Sequence, residues 1–229
     1  MAQKFTFAQR EEGFDNHIEH SIRGYTNLWN DVLKISDFFI EDESNVVDVG
    51  CSTGKLLKSM IDQSSYAKKC NFYGIEIEED FFPQFDVDEQ NPKYSNLRYF
   101  RGDVRDFAFK DCTLVTSIFT LQFIPEFQRR DIIKQIYEGL RYGGAFVFAE
   151  KTVSECPRIQ DIRTFTYYDF KREHFTTDDI LDKEKQLRHM MKPVSRRELM
   201  NMCMTAGFEL ERIDSFWQNY GFTGFIAVK

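Results

Sequence analysis

Apolar residues recur at steps of three and four along residues 14–40, and this spacing predicts helix. Gly24 interrupts the pattern within "SIRGYTN", so we expect two helices with a break at that point. The next apolar run, "NVVDVG", is short and rich in Val, which is typical of a buried strand. Helical spacing then returns in "KLLKSMIDQ".

Strand-like and helix-like segments continue to alternate through the middle of the chain. The predicted strands are "CNFYGIEI", "LRYFRGDV", "CTLVTSIFTLQFI" and "AFVFAEK". An amphipathic helix, "QRRDIIKQIYEGL", precedes the last of them and ends at "RYGG". Such alternation is typical of a parallel α/β sheet with short crossover connections.

The charged run over residues 152–192 breaks this rhythm and predicts a helical insertion lying over the edge of the sheet. A further helix follows in "SRRELMNMCMTAGFE", with Ser195 as its N-cap and Gly207 at its end. The last segment, "LERIDSFWQNYGFTGFIAVK", predicts two strands around a turn. We therefore expect one domain over residues 1–229, with N-terminal helices within 1–44.

The net charge, the hydropathy and the cysteine spacing argue against several classes of function. A net charge of -7 argues against a broad basic surface, so direct nucleic-acid binding is not expected. No apolar run reaches the roughly 20 residues that a membrane span needs. The five cysteines are scattered without a CxxC pair, which indicates neither a zinc site nor a disulfide framework. We expect a protein of the reducing cytoplasm, with no metal site.

A glycine-rich turn follows the first predicted strand in "VVDVGCSTGK". In open α/β sheets, ligands bind beyond the carboxyl ends of the strands. Gly50 and Gly54 allow a tight turn and a close approach of a ligand to the backbone. The spacing is neither that of a P-loop nor that of a dinucleotide fold. It resembles the first motif of S-adenosylmethionine (SAM) dependent methyltransferases, although a generic strand-to-helix turn stays an alternative.

Two acids follow the next two predicted strands. Glu76 ends "YGIEI", where a carboxylate can accept both hydroxyls of a ribose. Asp103 follows the third strand in "RGDVRD", where it could accept from an adenine amino group. Each acid alone could be an ordinary loop or capping residue. Together with Gly50 they converge on one crevice, which predicts a nucleoside site.

Several longer segments resemble one family, the carboxy-SAM synthases. They are "SIRGYTN", "DVGCSTG", "GDVRD", "FTLQFIPEFQRRDIIKQIYEGLRYGGAFVFAEK", "YYDFKR", "AGFE" and "GFTGFIAVK". The resemblance implies a Rossmann-like class I methyltransferase fold with a doubly wound, mostly parallel seven-stranded sheet that ends in an antiparallel hairpin. It implies a homodimer that makes carboxy-SAM and phenylpyruvate from SAM and prephenate, for wobble-uridine modification of tRNA.

The resemblance also assigns residues that bind SAM or carboxy-SAM. They are Tyr25, Gly50, Cys51, Ser52, Glu76, Ile77, Asp103 and Val104. Three of these positions agree with those inferred from the strand ends alone. Arg172, within the specific "YYDFKR" match, and Arg188 are the predicted functional cations of the insertion.

Two positions depart from the family pattern. Ile118 stands where the family has an Asn, so a polar contact is lost or replaced. Glu184 stands where the family has an Arg that holds the new carboxylate, and a Glu would repel that group. Lys183, Lys185 or Arg188 could take over if the register of the insertion shifts.

These departures leave two further hypotheses. An ordinary SAM-dependent methyltransferase needs no carboxylate clamp, and Glu150 or Tyr168 could then deprotonate an acceptor. A non-catalytic partner subunit with the same fold is the other hypothesis. The intact turn and acids argue against it.

Overall fold

A computed structural model describes residues 13–229 of the chain, and residues 1–12 of the predicted N-terminal segment lie outside this range. The helices are α1 Phe14–Ser21, α2 Tyr25–Ser36, α3 Lys55–Gln63, α4 Phe82–Gln90, α5 Glu126–Gly139, α6 Pro157–Arg172, α7 Thr177–Leu187 and α8 Arg196–Ala206. The strands are β1 Asn45–Val49, β2 Asn71–Glu76, β3 Leu97–Arg101, β4 Cys112–Ile118, β5 Leu140–Val153, β6 Val194–Ser195, β7 Ile213–Asn219 and β8 Phe222–Val228.

The strands form one sheet in the order β3-β2-β1-β4-β5-β8-β7. The pairs from β3 to β5 are parallel, whereas β8 is antiparallel to both β5 and β7. The predicted seven-stranded, mostly parallel sheet with a closing hairpin is therefore confirmed. The two-residue strand β6, which pairs with β5, was not predicted. Chain order reverses between β1 and β4, and ligands bind at such a switch point.

Strand β1 is buried on both faces, as its Val-rich sequence predicts. Val46 belongs to the core on the side of α2 and α3, where it joins Leu28 and Leu57. Val47 points the opposite way and joins Ile133 of α5 in the core on the other face. Because successive side chains of a strand alternate in direction, one short segment holds helices against both faces of the sheet.

Local signals explain the ends of several helices. Gly24, at φ +75°, separates α1 from α2, where a residue with a side chain would be strained. The Ser195 hydroxyl accepts a hydrogen bond from the Glu198 amide, and α8 ends at Gly207 as predicted.

Within residues 13–229, no helix is long and apolar enough to cross a membrane.

The predicted insertion forms α6 and α7. These helices contribute side chains to a cavity at the carboxyl ends of the central strands. The Tyr167 hydroxyl donates to the carbonyl of Ser21 at 3.0 Å, which ties α6 to α1. The insertion and the N-terminal helices thus meet above the switch point of the sheet.

Candidate functional site

A cavity of about 650 Å³ opens at the carboxyl ends of β1, β2, β4 and β5. The loop after β1, the ends of β2 and β4, helices α1 and α2, and the insertion all contribute to its wall. Its volume lies in the range of small-molecule and cofactor sites. The cavity is therefore the candidate functional site.

The loop after β1 can be built only with glycine at two positions. Gly50 has φ +73°, and a Cβ there would lie 2.1 Å from Oγ1 of Thr120. Gly54 has φ +68°, and a Cβ there would lie 2.1 Å from the Tyr99 hydroxyl oxygen. The amides of Gly50 and Cys51 both donate to the Ile75 carbonyl, at 2.8 and 3.0 Å. The loop is thus held tightly against β2 and exposes its backbone to the cavity.

Glu76 ends β2 and has a carboxylate fixed by three backbone amides. Oε2 accepts from Ser52 at 2.9 Å, and Oε1 accepts from Ile77 at 2.9 Å and from Glu78 at 3.0 Å. Burial raises the pKa of Glu76, and the three hydrogen bonds partly oppose that rise. Because Oε2 accepts one amide only, it keeps capacity for a ligand hydroxyl. This suits the ribose contact expected from the sequence.

Asp48 is a cavity residue that the sequence reasoning missed. It is 3% exposed, and the Thr116 hydroxyl donates to Oδ1 at 2.6 Å. Burial raises the pKa of Asp48 to about 7, with a further upward contribution from the charge of Glu76. The available signal was an acid inside an apolar strand, two residues before Gly50. Such an acid has to be bonded to a partner or to face a ligand.

Six of the eight predicted binding residues line the cavity: Tyr25, Gly50, Cys51, Ser52, Glu76 and Ile77. Ile77 is 64% exposed, so it presents an apolar surface suited to a planar base. Cys51 is buried, and burial raises the pKa of its thiol well above the usual value, which disfavours a thiolate nucleophile. Burial, with Asp15 nearby, also raises the pKa of Tyr25, so its hydroxyl stays protonated.

Asp103 and Val104 follow β3 as expected but do not line the cavity. The Asp103 carboxylate accepts from the Arg105 guanidinium at 2.6 and 2.9 Å and caps a short turn over Val104–Asp106. That ion pair lowers the pKa of Asp103. The Val104 side chain is buried in the core beside Val49. Their contacts to an adenine edge stay a prediction.

Neither of the two predicted functional arginines lines the cavity. Arg172 is exposed on α6, whereas Lys171, one residue earlier, is buried and lines the cavity. Adjacent helical residues point about 100° apart, and Lys171 shares its face with Tyr167, four residues before it. Arg188 follows α7 and is also exposed. The register of both helices thus turns lysines, not these arginines, toward the site.

A lysine at the end of a strand, and not one of the insertion, forms an ion pair with Glu184. Lys151 Nζ lies 3.6 Å from Glu184 Oε1, and both side chains line the cavity. The ammonium groups of Lys151 and Lys171 lie 5.4 and 5.3 Å from the centre of the Tyr167 ring, a distance suited to cation–π attraction. Strand β5 ends in "EK", so the strand-end reasoning that selected Glu76 could have found Lys151.

Ile118 lines the cavity and offers no hydrogen bond there. The candidate bases of the methyltransferase hypothesis, Glu150 and Tyr168, do not line it. The Glu150 carboxylate accepts from the amides of Leu121 and Gln122, at 3.0 and 2.9 Å, and is 2% exposed. Burial raises the pKa of Glu150 to about 8. Glu150 therefore serves the fold of the neighbouring loop.

The charges of the cavity wall are divided. One side of the cavity, formed by α1 and the ends of β1 and β2, carries four acids: Asp15, Asp48, Glu76 and Glu78. The lysine on this side, Lys55, pairs with Asp15. The other side, formed by β5 and the insertion, carries one acid, Glu184, and four lysines: Lys151, Lys171, Lys183 and Lys192. A cationic nucleoside suits the first side and an anionic ligand the second. In the described part of the chain, no cluster of side chains could hold a metal ion.

Known proteins match both the sequence and the fold. The family model for a methyltransferase domain matches residues 46–144. A carboxy-S-adenosyl-L-methionine synthase of Staphylococcus epidermidis is 34% identical, covering 98% of this chain and 96% of that protein. The enzyme of the same name from Colwellia psychrerythraea is 28% identical, covering 100% and 94%.

Solved structures share the fold at low sequence identity. Human N-acetylserotonin methyltransferase in complex with SAM aligns with a TM-score of 0.59 at 14% identity, covering 88% of this chain and 51% of that one. A putative O-methyltransferase from Nostoc punctiforme aligns with a TM-score of 0.63 at 14% identity, covering 89% and 56%. The Rossmann-like methyltransferase fold is therefore confirmed.

Proposed function

Because the chain belongs to the family of carboxy-S-adenosyl-L-methionine synthases, we propose that it converts SAM and prephenate into carboxy-SAM and phenylpyruvate. In this reaction SAM supplies the methyl carbon that receives the carboxylate. Prephenate loses its ring carboxylate as carbon dioxide and its ring hydroxyl as hydroxide, and the ring becomes aromatic. The hydroxide and the proton lost from the methyl group form water, so atoms and charges balance.

The acidic side of the cavity would hold the cofactor. Glu76 would accept the ribose hydroxyls, and Ile77 would pack against the base. The backbone of Gly50 and Ser52 would approach the nucleoside closely, because Gly50 has no side chain. Asp48 would lie near the cationic part of the ligand, where its carboxylate complements positive charge.

The division of charge in the cavity is the observation that carries this proposal. Prephenate has two carboxylates, and the side formed by β5 and the insertion carries four lysines against one acid. Carbon dioxide released within the same cavity has a short path to its acceptor. The chain would bind the two substrates on opposite sides of one cavity.

We also propose that the enzyme works as a homodimer in the cytoplasm and that its product serves wobble-uridine modification of tRNA. The family resemblance supports these points. Sedimentation equilibrium would test the dimer: a single species at twice the chain mass of 27.2 kDa is expected. A concentration-independent monomer would overturn it.

The activity is tested by incubating the purified protein with SAM and prephenate labelled isotopically in its ring carboxylate. Mass spectrometry should find the label in carboxy-SAM, with formation of phenylpyruvate. Protein without prephenate and prephenate without protein are the controls. Unlabelled carboxy-SAM would mean only that the product had co-purified.

One observation favours an ordinary SAM-dependent methyltransferase as the second candidate. Glu184 faces the cavity where relatives are expected to carry a cation, and plain methyl transfer needs no carboxylate clamp. SAM or S-adenosylhomocysteine as the only nucleosides released after incubation with prephenate would favour this candidate. That result would also overturn the carboxy-SAM synthase proposal.

A further inference from the structure

Lys151 is the cavity lysine that lies on a strand of the central sheet. Strand β5 pairs with β4 on one side and with β8 on the other, where Lys151 lies opposite Phe222. The Lys151 amide donates to Oε1 of the buried Gln122 at 2.8 Å. Its side chain is 21% exposed, so the ammonium is screened only partly by solvent. A charge on such a strand is better fixed than one on a loop.

The position of Lys151 relates it to the glycine-rich loop. Ala149 of β5 pairs with Ile118 of β4, and Lys151 lies two residues further along the strand. Thr120, two residues beyond Ile118, contacts Gly50. The Lys151 side chain therefore lies close to the segment that packs against the glycine-rich loop.

Glu184 forms an ion pair with Lys151 but leaves hydrogen-bond donors of its ammonium group available. The distance of 3.6 Å between Nζ and Oε1 exceeds the 2.7–2.9 Å typical of a charge-assisted hydrogen bond. An ammonium has three donors, so Lys151 can bind a second carboxylate. Glu184 comes from α7, a helix of the insertion, and its side chain is 28% exposed. A ligand carboxylate at Lys151 would compete with Glu184 for the same charge.

Two other lysines of the cavity wall are less suited to this role. Lys192 donates through Nζ to the Arg188 carbonyl at 3.2 Å, so it is directed toward the end of α7. Lys171 lies among aromatic rings, 5.3 Å from the centre of Tyr167 and 6.0 Å from that of Phe175. Lys151 differs from both because it lies at the end of a central strand and pairs with Glu184.

We propose that Lys151 binds the carboxylate of carboxy-SAM, and that Glu184 competes for Lys151 when no ligand carboxylate is present. This inference rests on the proposed function for the identity of the ligand. It assigns to a strand the contact that sequence comparison assigned to the insertion. The ligand class is a nucleoside whose sulfonium carries a carboxymethyl group.

The test measures binding of SAM and of supplied carboxy-SAM by titration calorimetry to wild type, Lys151→Met, Glu184→Gln and the double variant. Lys151→Met should weaken carboxy-SAM binding by about 10- to 100-fold, the range for a hydrogen bond to a charged group. SAM binding should change less than about twofold, since SAM has no such carboxylate. Glu184→Gln should tighten carboxy-SAM binding, and this gain should vanish in the double variant.

Asp182 and Lys185 provide matched controls on the same helix. They form an exposed ion pair at 3.0 Å, with side chains 66% and 67% exposed, outside the cavity. Asp182→Asn and Lys185→Met make the same changes of charge, and both should leave the preference between the two ligands unchanged. Lys151→Arg keeps a cation, so it should retain most of the preference for carboxy-SAM.

Equal losses for both ligands in Lys151→Met, or no loss for carboxy-SAM, would overturn the inference. Weaker carboxy-SAM binding in Glu184→Gln would overturn the competition. Thermal unfolding of each variant identifies any that fail to fold, and Lys151→Arg then carries the test. Because carboxy-SAM is supplied, the result is independent of turnover. An inactive wild type would overturn the proposed function while leaving this binding test valid.

Discussion

Gly50 needs to be glycine for two reasons, its positive φ and its close contact with Thr120, whereas Gly143 has the positive φ alone. Both Gly50 and Gly143 have positive φ, +73° and +83°. A Cβ at Gly50 would collide with Thr120, whereas a Cβ at Gly143 would meet no atom within 4 Å. Comparing alanine substitutions at these two glycines therefore separates the cost of backbone strain from the cost of a steric clash. Sequence alone marks both residues only as glycines at turns.

Gly50→Ala should destabilise the protein more than Gly143→Ala. Strain alone costs about 1–2 kcal/mol, and the forced displacement of Thr120 should add about 1–3 kcal/mol. Unfolding in urea measures both costs. SAM affinity, measured on the folded fraction, should fall only in Gly50→Ala. Equal destabilisation of the two variants would contradict the contact with Thr120.

Glu76→Ala should weaken SAM binding by about 1–3 kcal/mol, since it removes the acceptor proposed for the ribose hydroxyls. Calorimetric titration with SAM measures the change. Glu79→Ala, an exposed acid three residues later that does not line the cavity, is the control. Unchanged affinity in Glu76→Ala would remove the assignment. The variant also leaves three amides without their acceptor, so its unfolding has to be measured without ligand.

At the scale of elements, Arg129 connects the insertion to the sheet. It is 1% exposed, and its guanidinium donates to the carbonyls of Ile124 at 2.7 Å, Gln122 at 3.2 Å and Lys192 at 2.6 Å. The Lys192 amide donates in turn to the Gln122 carbonyl at 2.8 Å. Since Gln122 and Lys192 both line the cavity, these bonds fix one part of its wall to another.

Arg129→Met should lower the free energy of unfolding by about 3 kcal/mol, because the part-buried carbonyls of Ile124 and Lys192 lose the donor that the buried guanidinium supplies. Hydrogen exchange should accelerate in residues 189–192. Arg130→Met on the same helix is the matched control: Arg130 pairs with Glu198 and is 40% exposed, so its loss should cost at most about 1 kcal/mol. Similar losses in both variants would contradict the role of Arg129.

At the scale of the whole molecule, two acids of the sheet retain their protons to a higher pH than such groups usually do. Burial raises the pKa of Asp48 from 3.8 to about 7 and that of Glu150 from 4.5 to about 8. Above its usual pKa each group binds more protons in the folded than in the unfolded chain, so folding stability falls as pH rises. This contribution is complete below about pH 4 and is lost as pH rises through 7 and 8.

The free energy of unfolding should therefore decrease between about pH 5 and about pH 9, by up to about 1.4 kcal/mol per pH unit for each acid. Chemical denaturation at several pH values measures the slope. Asp48→Asn and Glu150→Gln should each reduce it, because neither amide titrates. A slope that both variants leave unchanged would show that other groups control it.

The sequence by itself determined most of the helices and strands, without α4 and β6, and one side of the candidate site. Local signals fix the Val-rich strand β1, the turn at Gly50 and the carboxylate of Glu76, because each depends on a few neighbouring residues and on the rule that parallel strands end at one edge. Val47 and Val49 were predicted to be buried, and they are. The doubly wound sheet with its antiparallel hairpin came from the family resemblance and agrees with the structure.

Only the tertiary structure decided which charges face the cavity. Lys171 faces it and Arg172 does not, because the rotation of α6 depends on packing against distant residues such as Ser21. Lys151 and Glu184 are 33 positions apart in sequence, and only the fold brings them to 3.6 Å. The raised pKa of Asp48 is likewise a product of burial, which no local pattern specifies.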